Sequence, residues 1–234
     1  MKLSIVIPCY NEEKNLPLLL NKLHSVINRK DIEIILVNNG STDNSANELN
    51  LLKTKFEFLK IANVEINQGY GYGILTGLKI AKGEFLGWTH ADMQTDPSDL
   101  LKALELLEFS KEPHLSYVKG NRKGRGIFDL FFTIGMSLFE SMYLKKIFWD
   151  INAQPNLFHK SFFESWIDPP FDFSLDLYAY YLAKVKKLNL IRFDVLFPPR
   201  IHGHSSWNTG IKSKIKFIKR TLDFSKKLKQ RLIN

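Results

Sequence analysis

Hydrophobic residues in the first 110 positions come in two alternating textures. Short, nearly unbroken apolar runs, "LSIVIP" (3–8), "IEIILV" (32–37), "FLKIANV" (58–64) and "EFLGW" (84–88), predict strands, the first two buried on both faces. Between them, "EEKNLPLLLNKLHSVI", "TDNSANELNLLK" and "GYGILTGLKIAK" space their apolar residues at helical intervals. "DPSDLLKALELLEFS" predicts a fourth helix, started by Pro97. The order βαβαβαβα implies an α/β fold, a mostly parallel central sheet flanked by helices. Ligands of such sheets sit beyond the carboxyl ends of the strands. That singles out four loops: "CYNEE", "NNGSTD", "NQGYGYG" and "HADMQTD".

The second half is patterned differently. "GNRKGRG" predicts a basic, glycine-rich loop, and "IFDLFFTIGMSLFESMYLKKIFW" (127–149) an aromatic-rich helix interrupted by Asp129, Glu140 and two lysines. "DINAQPNLF", a helix "SLDLYAYYLAKVKK", a strand "LIRFDVLF" and a loop "PPRIHGHSSWN" follow. The stripe Phe128, Phe131, Phe132, Leu138, Phe139 and Met142 has two explanations. Core packing is the commoner one; the other is a seat for a lipid tail, since arginines stand next to it.

Composition narrows the class. A chain of 234 residues, 44% hydrophobic, can bury a sizeable core as one large domain or one domain with an appendage. Its one cysteine, Cys9, excludes a disulfide framework within the chain and suits a reducing cytosol. The opening "MKLSIVIPCYNEE" is not patterned as a signal peptide, and no run of about 18 uncharged apolar residues occurs, which argues against a spanning helix. The net charge of +9 is concentrated in the last 24 residues, which hold nine Lys or Arg against the single Asp223. The body is close to neutral, so nucleic acid is not an expected partner. Residues 1–210 are thus expected to form the main domain and 211–234 a basic amphipathic helix. On that helix Ile211, Ile215, Ile218, Leu222 and Leu232 share a face, with Leu228 near it. It is patterned to lie on an anionic membrane surface, or to pack with a solvated basic side.

The stretch "GWTHADMQTDP" (87–97) brings the chemistry forward. His90, Asp92, Gln94 and Asp96 gather in a turn where a buried strand ends, and such a set could hold a divalent cation or simply cap the next helix. The glycines of "NQGYGYG" stand at 69, 71 and 73, not in the dinucleotide spacing, and follow the third strand. They are expected to allow close backbone approach to a ligand.

In order and spacing, "SIVIPCYNEEKNL", "IEIILVNNGSTDNS", "NQGYGYGILTGLKIAKGEFLGWTHADMQTDP" and "RIHGHSSW" resemble glycosyltransferase family 2 on the GT-A fold, a Rossmann-like arrangement for nucleotide-diphospho-sugars. Within it the chain is most similar to polyprenyl-phosphate (dolichol-phosphate) mannose and glucose synthases, over roughly residues 3 to 207. The resemblance implies a nucleotide-diphospho-sugar donor, inversion at the anomeric carbon and a divalent metal, Mn²⁺ or Mg²⁺. It places the metal at His90, Asp92 and Gln94, with Asp92 catalytic. Pro8, Tyr10, Glu12, Asn38, Asn39, Gly69, Gly73, His90 and Arg200 then fall at donor-binding positions, and Arg122 and Arg125 at acceptor-binding ones. Asp150 and Asp176 fall where similar enzymes keep acids near the acceptor.

Three departures matter. His90 stands where the pattern has a carboxylate, which softens the site towards Mn²⁺. Asn38 and Asn39 replace two aspartates, which opens the donor base to cytidine as well as uridine or guanosine. Leu175-Asp176 replaces the Glu-Asp pair of family members that glycosylate hydroxyls. A lipid phosphate, already ionised near neutral pH, needs no general base; a hydroxyl of a glycan or glycolipid does. The expected function is therefore sugar transfer to polyprenyl phosphate at the cytoplasmic membrane face. Transfer to a hydroxyl and a non-catalytic donor-binding module are the alternatives. His202 and His204 could add a metal or phosphate contact.

Overall fold

A computed structural model of the chain describes residues 1–200, 202 and 211–230. The first half alternates as the pattern predicts: β1 (Leu3–Cys9), α1 (Leu16–Val26), β2 (Ile32–Asn39), α2 (Ser45–Lys53), β3 (Leu59–Val64), α3 (Tyr70–Ile80), β4 (Phe85–Trp88) and α4 (Ser98–Glu108). Then come β5 (Ser116–Lys123), α5 (Ile127–Leu144), β6 (Asn156–His159), α6 (Lys160–Glu164), α7 (Ser174–Val185), β7 (Asn189–Leu196) and α8 (Ile211–Gln230). The seven strands form one sheet in the order β3-β2-β1-β4-β6-β5-β7. Only β6 runs against the others, pairing antiparallel with β4 and β5.

The alternation of side chains along β1 decides which face each residue supports. Leu3, Ile5 and Ile7 meet Leu16, Leu19, Leu20 and Leu23 of α1 and Leu100, Leu104 and Leu107 of α4. Val6, on the opposite face, joins Ile35, Val37, Ile74, Leu78 and Trp88, with Tyr117, Phe158 and Leu175. Burial on both faces explains why the first two strands read as unbroken apolar runs.

The second half corrects several expectations. "GNRKGRG" is a loop only from Gly124; Gly120 to Lys123 continue β5, held by parallel pairing with β7. The aromatic helix stops at Leu144, because Lys145 takes a left-handed conformation with φ 53°. "DINAQPNLF" contains the antiparallel strand β6, too short to show a period. By length and composition α5 is apolar enough to cross a membrane, despite Asp129 and Glu140, which broke the uncharged run in the sequence.

Helix α8 packs on α5 and α7, and through an unexpected face. Thr221, Ser225 and Leu228 are buried, whereas Ile215, placed on the apolar stripe, is 59% exposed. Ser225 Oγ donates to the buried Glu140 carboxylate of α5 at 2.8 Å. Leu232 lies outside the described residues.

Candidate active site

The carboxyl ends of β1, β2 and β4 and the start of α3 open into a cavity of about 870 Å³, walled on its far side by α5 and by the segment before α7. Pro8, Tyr10, Glu12, Asn39, Gly69, His90, Asp92, Gln94, Arg122, Arg125, Asp176 and Arg200 all line it. The loops after β1 and β2 are tied together: Asn11 N donates to Ser41 Oγ, Glu12 N to Ser45 Oγ and Glu13 N to Asp43. Ser41 and Thr42 serve this joint rather than capping α2; Thr42 N donates to Asn11 Oδ1.

At the floor, Asn39 Nδ2 donates to the Gly69 carbonyl at 2.9 Å. A carbonyl only accepts, so this contact fixes the amide orientation. Asn39 Oδ1 is left buried without a partner. Asn38 and Gly73, expected at the donor, do not line the cavity. Asn38 Oδ1 accepts from Ser41 N and closes the turn. A Cβ at Gly73 would stand 3.1 Å from the Asn39 amide and 3.2 Å from Pro8, so Gly73 makes room for Asn39. Gly69, at φ 116°, abuts the chain rather than only a ligand: a Cβ there would meet the Phe171 carbonyl at 2.4 Å.

The turn after β4 is closed by an arginine. Arg200 Nη2 lies 2.7 Å from Asp92 Oδ2, and its Nε donates to Gln94 Oε1 at 3.1 Å. Asp92 Oδ1 accepts from Gln94 N, and Gln94 Nε2 donates to the Pro198 carbonyl. Asp96 is a helix-start group, accepting from Ser98 N. The ring of His90 lies 5.6 Å from that of Tyr70, and burial holds its pKa below the ordinary histidine value despite nearby Asp92. Burial thus favours the neutral imidazole, the form that can bind a metal.

The donor set near Asp92 is thin. One carboxylate, one imidazole and one amide fit a cation that takes most of its ligands from a bound diphosphate, not a caged metal. Among the described residues no group of three or more His, Cys, Asp or Glu could hold a metal. His202 is exposed and does not line the cavity; His204 lies outside the described residues.

Across the cavity, Asp150 is buried and grips Arg122. Arg122 Nη2 donates to Asp150 Oδ1 at 2.5 Å, and the Arg122 backbone N–H to Oδ2 at 2.9 Å. Burial raises the Asp150 carboxyl, but Arg122 outweighs it and holds the pKa below the ordinary value. Arg125 is less committed. Its Nη1 donates to Thr133 Oγ1, its Nη2 is 3.8 Å from Asp150, and its Nε is buried without a partner.

Asp176, at the start of α7, is 1% exposed. Its Oδ1 accepts from Trp88 Nε1 at 3.0 Å and from Gln154 Nε2 at 2.9 Å. Burial raises its pKa against the opposing pull of Lys119. Trp88, Gln154, Asn156 and Lys119 had no motif to announce them. The one available signal was a lysine inside the otherwise apolar strand "SYVKG".

Residues 4–164 match the family model described as Glycosyl transferase family 2. The chain belongs to glycosyltransferase family 2. A curated relative, undecaprenyl-phosphate 4-deoxy-4-formamido-L-arabinose transferase of Aeromonas hydrophila subsp. hydrophila, is 35% identical over 106 residues, 44% of this chain and 32% of its own length. Poly(ribitol-phosphate) beta-glucosyltransferase of Bacillus spizizenii is 36% identical over 126 residues, 53% of this chain and 19% of its own. The chain thus spans a third or less of these relatives. In fold it is similar to glucosyl-3-phosphoglycerate synthase of Mycobacterium tuberculosis, crystallised with Mn²⁺, uridine-diphosphate and glucosyl-3-phosphoglycerate. There the TM-score is 0.71 at 13% identity, covering 91% of this chain and 76% of that one. A mannosyltransferase from Pyrobaculum calidifontis, in complex with GDP-Man and Mn²⁺, gives 0.66 at 16% identity, covering 88% and 59%. The family 2 chain therefore has the GT-A fold expected from its motifs.

Proposed function

We propose that the chain is an inverting, metal-dependent glycosyltransferase, moving a sugar from a nucleotide-diphospho-sugar to a polyprenyl phosphate at the cytoplasmic face of a membrane. One observation carries this most: a single cavity joins the Asp92–Gln94–Arg200 cluster to an arginine pair beside an apolar helix. The first end suits a diphosphate. Asp92, with His90 and Gln94, would hold Mn²⁺ or Mg²⁺, which when bound neutralises charge developing on the leaving diphosphate. Arg200 orients Asp92 and Gln94 and adds a fixed positive charge.

Asn39 narrows the donor. Its unpartnered Oδ1 is an acceptor, so the base must turn a donor to it: the ring N–H of uracil or guanine or, in cytosine, the amino group alone. Pro8, Tyr10 and Glu12 flank the same floor.

At the other end, Arg125 brings an uncommitted buried N–H to a phosphate, while Asp150 fixes Arg122 beside it. Asp150 is then a holder of arginines, not a proton acceptor. Helix α5 forms the wall here through Phe132, Thr133 and Met136. Its exposed positions, Ile127, Phe128, Leu130, Phe131, Ile134, Gly135, Leu138, Phe139 and Met142, carry no charge. So large an apolar face suits the interfacial zone of a bilayer. Lys145 and Lys146 beyond its end, with Lys219, Lys226 and Lys227 of α8, suit anionic headgroups.

Transfer to a hydroxyl is the second reading. Asp176 favours it, because its Oδ2 accepts no hydrogen bond from any described residue and the group lines the cavity. The test is radiolabelled transfer from UDP-, GDP- and CDP-sugars, with Mn²⁺ or Mg²⁺, to short polyprenyl phosphates beside glycolipid acceptors. Label on the polyprenyl phosphate from a uridine or guanosine donor is expected. Label only on glycolipid hydroxyls would select the second reading, and label on neither would remove both.

A further inference from the structure

Lys119, midway along β5, is fully buried, and it does not line the cavity. Its Nζ donates to the Ala153 carbonyl at 2.7 Å and to Asn156 Oδ1 at 2.8 Å, and lies 5.6 Å from the centre of the Tyr180 ring. No carboxylate among the described residues pairs with it directly. A buried ammonium served only by neutral groups is costly unless it answers a charge elsewhere.

That charge is Asp176, reached through two side-chain amides that point one way. Lys119 donates to Asn156 Oδ1, Asn156 Nδ2 donates to Gln154 Oε1 at 2.5 Å, and Gln154 Nε2 donates to Asp176 Oδ1 at 2.9 Å. The cation faces an amide oxygen and the anion an amide hydrogen, so both amide dipoles lie along the field between the charges. An ammonium can only donate and a carboxylate only accept, which fixes both amides. Aligned donors and acceptors of this kind polarise one another in a medium of low dielectric constant. Tyr117 OH donates to Asn156 Oδ1, and Gln154 Nε2 also donates to Tyr70 OH, which completes the network. Burial pulls the Lys119 pKa down to about 7, with Asp176 the strongest influence pushing it back. Reciprocally, burial raises Asp176, and Lys119 is the strongest influence lowering it.

We propose that Lys119 is a positioning residue for Asp176, acting through Asn156 and Gln154. It holds that group by Oδ1 and leaves Oδ2 for a hydroxyl of the donor sugar in the cavity. The role of Oδ2 rests on the glycosyl-transfer reading; the charge pair does not.

Two double-mutant cycles on the full chain separate these claims. For stability, Lys119→Met and Asp176→Asn are each expected to lower Tm by about 5 °C or more by stranding the opposite charge. The double variant should recover most of that loss. For transfer, each single variant should lower kcat/KM by about tenfold or more, and the double no further than the worse single. Rescue of Tm without rescue of transfer is a result that a packing role for Lys119 would not give. Additive Tm losses would overturn the pair whatever the chain transfers. Coupled Tm values with full transfer by Lys119→Met would overturn the positioning role. Coupled Tm values in a wild-type chain that transfers no sugar would sink the glycosyl-transfer reading and leave the pair standing. Should Lys119→Met not fold, Gln154→Met cuts the same file of amides, and additivity of its effects with Asp176→Asn overturns the proposal equally.

Discussion

Helices α1 and α5 solve opposite problems. α1 buries Leu16, Leu19, Leu20 and Leu23 against the sheet and turns its polar residues outward. α5 buries Thr133, Ser137, Glu140 and Leu144 and turns phenylalanines, leucines and isoleucines outward. Phe128 is 88% exposed and Met142 73%. The first arrangement is that of a helix in water; the second has its polarity reversed. The half of the cavity proposed for the donor thus stands on a layer whose helix has ordinary polarity, and the half proposed for the acceptor leans on a helix whose apolar side is exposed. A transferase with one water-soluble substrate and one lipid substrate would need both.

That division can be broken in graded steps. The largest effect is expected from Asp92→Asn in the donor half, which should lower transfer to every acceptor by roughly 10² to 10³, as loss of a charge-stabilising group does elsewhere. Single-turnover assays with a detergent-dispersed acceptor check this, and near-normal rates would remove Asp92 from the chemistry. Next comes the outer face of α5. Replacing Phe128, Phe131 and Leu138 together by serine should weaken binding to anionic vesicles by about 10², since each apolar side chain withdrawn from water contributes roughly 1 kcal/mol or more. Transfer to a short, soluble polyprenyl phosphate should stay within about twofold. Unchanged vesicle flotation would leave the exposed face without a membrane role.

The arginine pair should divide by how firmly each member is held. Arg125→Ala is expected to raise the acceptor KM by about tenfold with little change in kcat or Tm, because its guanidinium is only loosely engaged. Arg122→Ala should lower Tm instead, because it strands the buried Asp150. Equal behaviour of the two would erase the distinction.

The smallest effect concerns the seam between α5 and α8. Burial raises the Glu140 pKa to about 7, only partly offset by Ser225. A carboxyl whose folded-state pKa lies above its unfolded value stabilises the fold when protonated. That contribution is fully present below about 4.5 and is lost as pH rises through about 7. Protection of the α8 amides, the slowing of their exchange relative to that of an unstructured chain at the same pH, should therefore fall between pH 6 and 8. Glu140→Gln, which keeps a partner for Ser225 and has no charge to lose, should flatten the dependence.

Much of the donor half was legible from the chain. Strand residues 3–7, 32–37 and 85–88 are buried on both faces, so their composition fixes their state with little help from the rest of the fold. The loops after them carry their chemistry in consecutive residues, which is why Asp92, Gln94 and Asn39 could be named before any geometry. Near neighbours in sequence also misled. Asn38 and Asn39 look equivalent, yet successive residues at a strand end point to opposite sides, and only Asn39 faces the cavity.

The acceptor half was decided by tertiary contacts. An apolar helix reads the same whether the core or a bilayer covers it, and only the packing of α5 shows its phenylalanines left outside. Of the two acids that broke its uncharged run and so argued against a spanning helix, Asp129 lines the cavity and Glu140 is buried, answered by Ser225 some 85 positions away. Arg200 reaches Gln94 across 106 positions, and Trp88 reaches Asp176 across 88. Such pairs have no spacing to recognise. The sequence by itself determined an α/β fold of glycosyltransferase family 2, with the chemistry-bearing loops at the carboxyl ends of its strands. Which apolar side chains are left exposed, and which buried charge answers which, depended on the long-range closure of the sheet through β6 and on two helices meeting at polar rather than apolar faces.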